Sequence, residues 1–269
     1  MTATRQSSGD TKAGGLLYGI GAYGSWGMFP AFFPLLKPAG ALEVLAHRVV
    51  WTSVLMAAVI VVARRIADLP KITGRTWLLL VCASGLISTN WVIYIYAVNN
   101  GHVVDAALGY FINPLVSVLL GVVIFRERLN RAQTVALLIA LAAVIVLSVE
   151  VGGVPLIALG LAASFGLYGA VKKVVPVDPR VSVGLEAAIA APFAIAYIAM
   201  LQVSGHGQFT KHGAGHLALM ILSGPVTAIP LLFFAAAAHR LPLVTLGLLM
   251  YLTPAMQMTW GVVVGNEPM

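Results

Sequence analysis

The sequence predicts an all-α polytopic membrane protein, built as two inverted five-helix repeats with the last helix missing, so that nine transmembrane helices remain. Three observations predict this. Only 9% of the 269 residues are charged while 60% are hydrophobic, where a soluble domain carries about a quarter charged residues; mean hydropathy is +0.96. The apolar residues fall into runs of helical, membrane-crossing length, and period-2 alternation, the mark of a membrane barrel, is absent. Finally, the stretch 97–127 aligns with 237–267 at an offset of 140, pairing Ala97 with Ala237, Pro114 with Pro254, Gly121 with Gly261 and Glu127 with Glu267. Similar offsets pair "YGSWG" (23–27) with "FGLYG" (165–169) and Glu43 with Glu186. Five spans in the first unit reverse the direction of the second, giving opposed halves.

The elements follow in order. Residues 1–13 are polar and read as a disordered cytoplasmic N-terminus; 14–149 form the first repeat and 150–269 the second. The expected spans are 14–36, 41–63, 76–98, 104–125, 132–149, 154–171, 182–201, 215–238 and 243–264. The first is too long and too broken by Gly and Pro for a signal-peptide core. It places Trp26 between Gly24 and Gly27, as the sixth places Tyr168 between Gly166 and Gly169; these aromatics either reach a central cavity or serve packing alone. The second span opens with "EVLAHRVVW" (43–51). Glu43 and His47 share a helix face at i, i+4, and Arg48 lies one position round. Charges at this depth require partners or water, so the trio either lines a cavity, with Glu43 and His47 exchanging a proton and Arg48 holding an anion, or forms a rim ion pair. Glu186 takes the matching place in the second unit.

On the third span Asn90, Trp91 and Tyr94 fall along one side, suited to a planar organic ligand, while Tyr96 and Asn99 read as interfacial belt. Cys82 reads as a small packing residue. Pro114 and Pro254 interrupt the i→i−4 ladder in mid-span, freeing the carbonyls of Tyr110 and Met250 beside Asn113 and Thr253. They read as hinges or as ordinary kinks, with Tyr110, Asn113 and Tyr251 as site candidates. A counterpart of the fifth span would lie past residue 269, which is why the tenth helix is expected to be missing.

Thirteen of the sixteen basic residues lie in segments on the N-terminal side of the membrane if the N-terminus is inside. This positive-inside bias predicts a multi-pass protein of the inner (plasma) membrane with a cytoplasmic N-terminus, and it explains the basic pI without nucleic acid. P-loop and G-x-S-x-G signatures are absent, as is Cys/His metal spacing, so no catalytic residue, metal or cofactor is expected. His206, His212 and His216 read as solvated loop residues, and Glu127 as a helix-end cap.

The strings "AYGSWGMFPAFF" (22–33), "EVLAHRVVW" (43–51), "NWVIYIYAVNNGHVVDAALGYFINPLVSVLLG" (90–121), "IALGLAASFGLYGAVKK" (157–173) and "PLVTLGLLMYLTP" (242–254) resemble the EamA-type ten-helix members of the drug/metabolite transporter superfamily, and among them the RarD-type proteins. RarD-type proteins are commonly labelled chloramphenicol-sensitivity proteins and permeases. The resemblance implies transport of a small organic metabolite or drug, with a chloramphenicol-related phenotype; together with two opposed halves, the expectation is a secondary-active carrier working by alternating access on a proton or solute gradient, with Glu43, His47 or Glu186 as the coupling group. The different reading is a non-transporting membrane receptor or scaffold.

Overall fold

The computed structural model describes residues 3–100, 102–151 and 155–263. Helix α1 (Ala3–Gly27) begins well before the expected span, inside the polar stretch expected to be disordered. It stops where the span was expected to continue. Pro30, Pro34 and Pro38 remove a donor every fourth residue, so the chain breaks into a single turn, α2 (Phe29–Phe32), then a 3-10 turn (Phe33–Leu36). Helix α3 (Ala41–Val62) follows, then α4 (Gly74–Asn99), α5 (Val103–Val123) and α6 (Arg131–Val151). The second half holds α7 (Leu156–Val174), α8 (Pro179–Val203) and α9 (Gly213–Ala238). Its last expected span is two helices, α10 (Leu243–Leu249) and α11 (Leu252–Val263).

The first and last of the nine expected spans are each divided among more than one helix. Six helices among the described residues are long and apolar enough to cross a membrane: α3, α4, α5, α7, α8 and α9. Helix α6 contributes a shorter apolar stretch over its described part. Helix α1 opens on polar residues, and the last span is divided.

The two prolines behave differently. Pro114 lies buried inside α5, which continues past it. Pro254 sits in the first turn of α11, where its missing N–H costs nothing. The Met250 carbonyl expected to be freed accepts from the Thr253 amide at 3.1 Å. The Thr253 hydroxyl instead donates to the Tyr23 carbonyl at 2.9 Å, tying α11 to α1.

Helix α3 packs on α8 and α9, α4 on α7 and α8, α5 on α7 and α10, and α1 on α9 and α11. Helix α6 rests chiefly on α5. The core where these meet holds Tyr23, Met56, Tyr168, Phe234 and Leu243, all essentially inaccessible. On α3 the buried positions Glu43, His47, Thr52, Met56 and Ile60 recur at helical spacing on the face toward the second half. Close approach there rests on glycine: a Cβ at Gly224 of α9 would lie 2.5 Å from Trp51 Cβ and 2.6 Å from its main-chain carbon.

Two carboxylates of the first half bind main-chain amides of the second. Near one end, Glu43 accepts from the Gln208 and Phe209 amides at 2.6 and 3.2 Å. Near the other, Glu127 accepts from Leu243 and Val244 at 2.8 and 2.9 Å, capping α10, with Lys173 Nζ 3.3 Å away. The position paired with it in the repeat, Glu267, lies outside the described residues.

Asp178 caps α8 by accepting from the Arg180 amide at 2.9 Å, and Arg65 at the end of α3 reaches its carboxylate at 3.3 Å. The Arg180 side chain, hydrogen-bonded to it, holds the Asp178 carboxyl below its ordinary value despite partial burial. A depressed folded-state value gives stability that is present above the ordinary carboxylate range and lost as pH falls through the folded value. Acidification below about pH 4 is expected to lower the unfolding temperature of the wild type more than that of Asp178→Asn. Unfolding scans across pH check this, and identical acid limbs contradict it.

Candidate functional site

The break after α1 turns Phe29 and Phe33 over the first turns of α3. Beneath them lies Arg48, its guanidinium carbon 5.7 Å from the Phe29 centroid, 5.0 Å from Phe33 and 5.0 Å from Trp91 of α4. Its Nε donates to Thr227 Oγ1 of α9 at 2.8 Å, and Thr227 in turn donates to the Ser223 carbonyl. Tyr94 and Tyr110 are within electrostatic reach and meet edge-on, centroids 5.9 Å apart. Among the described residues no carboxylate pairs with Arg48. Ring faces take the place of an anion, which cation–π attraction supports only in part.

Trp91 also lines a small, partly open cavity of about 20 Å³, room for about one water, between α3, α4, α8 and α9. Ser84, Ser88, Thr52 and Glu186 share its wall. A wider cleft of about 440 Å³ between α3, α4 and α8 shares Val49, Ser84, Ser88, Trp91 and Ala190 with that cavity. It opens sideways past Val92 and Phe193, which are exposed on the helix surface that faces hydrocarbon in a membrane.

Glu186 leads to a second polar group, which the sequence reading missed. Lys172 Nζ lies 2.7 Å from Glu186 Oε1 and is fully buried. Ser182 accepts from Lys172 at 2.5 Å and donates to Glu186 at 2.6 Å, and Tyr168 donates to its other oxygen at 3.1 Å. Lys172 is one of the thirteen basic residues assigned above to segments on the N-terminal side of the membrane. The signal was two i, i+4 pairs, Tyr168 with Lys172 and Ser182 with Glu186, facing each other across the α7–α8 turn.

The structure does not bring Glu43, Arg48, Asn90 and Glu186 into one polar space. Glu43 turns to the 208–209 amides because they offer two donors at the end of its helix. His47 stacks on Phe209 at 4.3 Å, with neither ring nitrogen hydrogen-bonded among the described residues, so it exchanges no hydrogen bond with Glu43. Asn90 donates to the Leu161 carbonyl and to Ser164, joining α4 to α7 rather than facing a ligand. Arg48 and Trp91 meet as one group, with Tyr94 and Tyr110 beside them.

The remaining candidates lie apart from this group. Trp26 lies against Tyr23, Phe165 and Phe234 at 5.5 to 5.8 Å. Tyr251 donates to the Phe111 carbonyl at 3.3 Å. Asn113 is buried in α5 with its Oδ1 unpartnered among the described residues. His216 is buried in the first turn of α9, a ring nitrogen 3.1 Å from the Leu36 carbonyl, so it is not a solvated loop residue. Cys82 is exposed rather than packed. Tyr96 is exposed; the side chain of Asn99 lies outside the described ones.

A model of the EamA-like transporter family matches residues 13–149. Protein RarD of Streptomyces exfoliatus is 48% identical over 261 residues, covering 95% of this chain and 82% of that protein. A Bacillus subtilis (strain 168) protein named "Uncharacterized transporter YojE" is 42% identical over 267 residues, 96% of this chain and 88% of its own. A solved structure titled "Crystal structure of protein" shares the fold at TM-score 0.73 and 20% identity, over 96% of this chain and 90% of that one.

Proposed function

Because the chain belongs to the EamA-like transporter family, whose members are membrane transporters, we propose that it is a secondary-active carrier of a small organic metabolite or drug. It works by alternating access between two halves of opposed orientation, in the plasma membrane, with its N-terminus in the cytoplasm. The observation that carries this reading is the pair of carboxylate contacts at opposite ends of the bundle. Glu43 and Glu127 each fasten the first half to main-chain amides of the second. Between α3, α4, α8 and α9 the halves leave a cavity of about 20 Å³, too small for a solute, and the wider cleft of about 440 Å³ beside it lies at the helix surface by Val92 and Phe193. A carrier with both ends fastened is occluded, and releasing one carboxylate at a time would admit solute from one side at a time. The inverted duplication has the support of the packing pattern. Exchanging the halves carries α3–α8 and α5–α10 into themselves and α4–α7 into α1–α9.

Glu186 with Lys172 is the candidate for proton coupling, since a proton can move within that pair without stranding two charges in hydrocarbon. Counterflow in proteoliposomes, over a panel of amphipathic metabolites and antibiotics that includes chloramphenicol, tests the reading. At least one solute is expected to exchange, and an imposed pH gradient is expected to drive its net flux. Correctly inserted protein that moves no member of the panel would refute the carrier. Solute exchange unaffected by the gradient would remove the proton alone.

A further inference from the structure

We propose that Arg48 anchors the carboxylate of a small organic monoanion whose apolar body lies along Trp91; this rests on the carrier reading above. The guanidinium stands under aromatic rings, so its faces are occupied. Stacking uses no N–H group. Of the five in-plane donors, Nε donates to Thr227. The terminal nitrogens have no hydrogen-bond acceptor among the described residues, and the side chain remains partly accessible. That free edge fits a planar carboxylate, which can take two parallel N–H bonds while the rings hold the plane.

The chain's own carboxylate nearest in sequence, Glu43, is bound to the 208–209 amides. The other buried acid, Glu186, is paired with Lys172. Neither neutralises Arg48, so the counter-charge at this depth comes from what the site binds. A single cation matches a single negative charge; a phosphomonoester dianion would lack a second. Trp91 is the residue that Arg48 and the cleft of about 440 Å³ have in common; the guanidinium is not itself in the cleft's lining, whose other walls include Val49, Val92 and Ala190, with Ser84 and Ser88 as small polar groups. That lining suits a flat apolar body rather than a sugar.

The test is calorimetric titration of the whole chain in lipid nanodiscs, near neutral pH, with phenylacetate, phenylacetamide and phenethylamine. Their bodies match and their charges differ. Phenylacetate is expected to bind about 10- to 100-fold tighter than the amide, the range of a charge-assisted pair, and the amine weakest. Arg48→Gln is expected to bring acid and amide together, while Arg48→Lys keeps a reduced preference for the acid. Equal affinities for acid and amide in the unaltered protein overturn the proposal, whether or not any variant folds. Flux of neutral solutes with no acid preference leaves the carrier standing and sinks the anion site. Acid preference with no flux of any solute does the reverse.

Discussion

Lys172→Met is expected to cost about 3–5 kcal/mol, the range for removing one partner of a buried ion pair. Glu186 would keep its Ser182 and Tyr168 hydrogen bonds but hold an uncompensated, buried charge beside a cavity with room for about one water. The double variant Lys172→Met, Glu186→Gln is expected to regain most of that loss. It removes both charges together and leaves an amide oxygen to accept from Ser182 or Tyr168. Thermal unfolding in one detergent, read by the loss of the monodisperse peak, compares the three proteins. A single variant as stable as wild type, or a double no better than the single, contradicts the burial of this pair. The same set separates fold from function: a double variant that is stable yet no longer driven by a pH gradient places the coupling proton on this pair.

Gly224→Ala is the second large effect. A methyl group there would sit 2.5 to 2.9 Å from Trp51 Cβ, Trp51 main-chain carbon and Thr52 nitrogen. Two of these atoms are backbone, so a rotamer change cannot relieve the contact and α3 must move away from α9. The hydrogen bond from Thr52 Oγ1 to the Gly224 carbonyl, 3.1 Å, is strained by the same movement. A loss of about 1–3 kcal/mol or more is expected. Gly215, on the same helix with nothing near its missing Cβ, supplies the control: Gly215→Ala is expected to be neutral or to stabilise by about 0.5–1 kcal/mol. Equal effects at the two positions would mean that the helices do not cross at Gly224.

The solvent of this protein was legible in its sequence, because the scarcity of charge leaves lipid as the surroundings, and the six long apolar helices follow from run length. The proximity of Arg48 to Trp91 was also within reach, since Arg48 lies near the start of one span and Trp91 near the end of the next. What Glu43 does was not legible. Its partners are amides 165 and 166 residues away, and amides carry no residue identity. Asn90 misled for a related reason. An amide in an apolar helix must find partners, but spacing does not say whether they are a ligand or the next helix, and here α7 supplies them. Lys172 was hidden by its position at a helix end, where a lysine usually reaches water; the adjoining helix instead places Ser182 and Glu186 against it. The unequal fate of the two prolines depends on local packing: Pro114 is enclosed by neighbours within α5, while Pro254 opens a new helix.

The fastenings at Glu43 and Glu127 have a genetic consequence. Each joins a side chain to peptide N–H groups, so the vulnerability is one-sided. Exchanging Gln208, Phe209, Leu243 or Val244 for other residues leaves the donors in place. Of the twenty amino acids, proline alone deletes the donor. A mutational scan would therefore find two intolerant glutamates and, at the partly exposed Gln208, tolerance of nearly everything except that imino acid, while Phe209, Leu243 and Val244 are held in addition by the packing of their side chains.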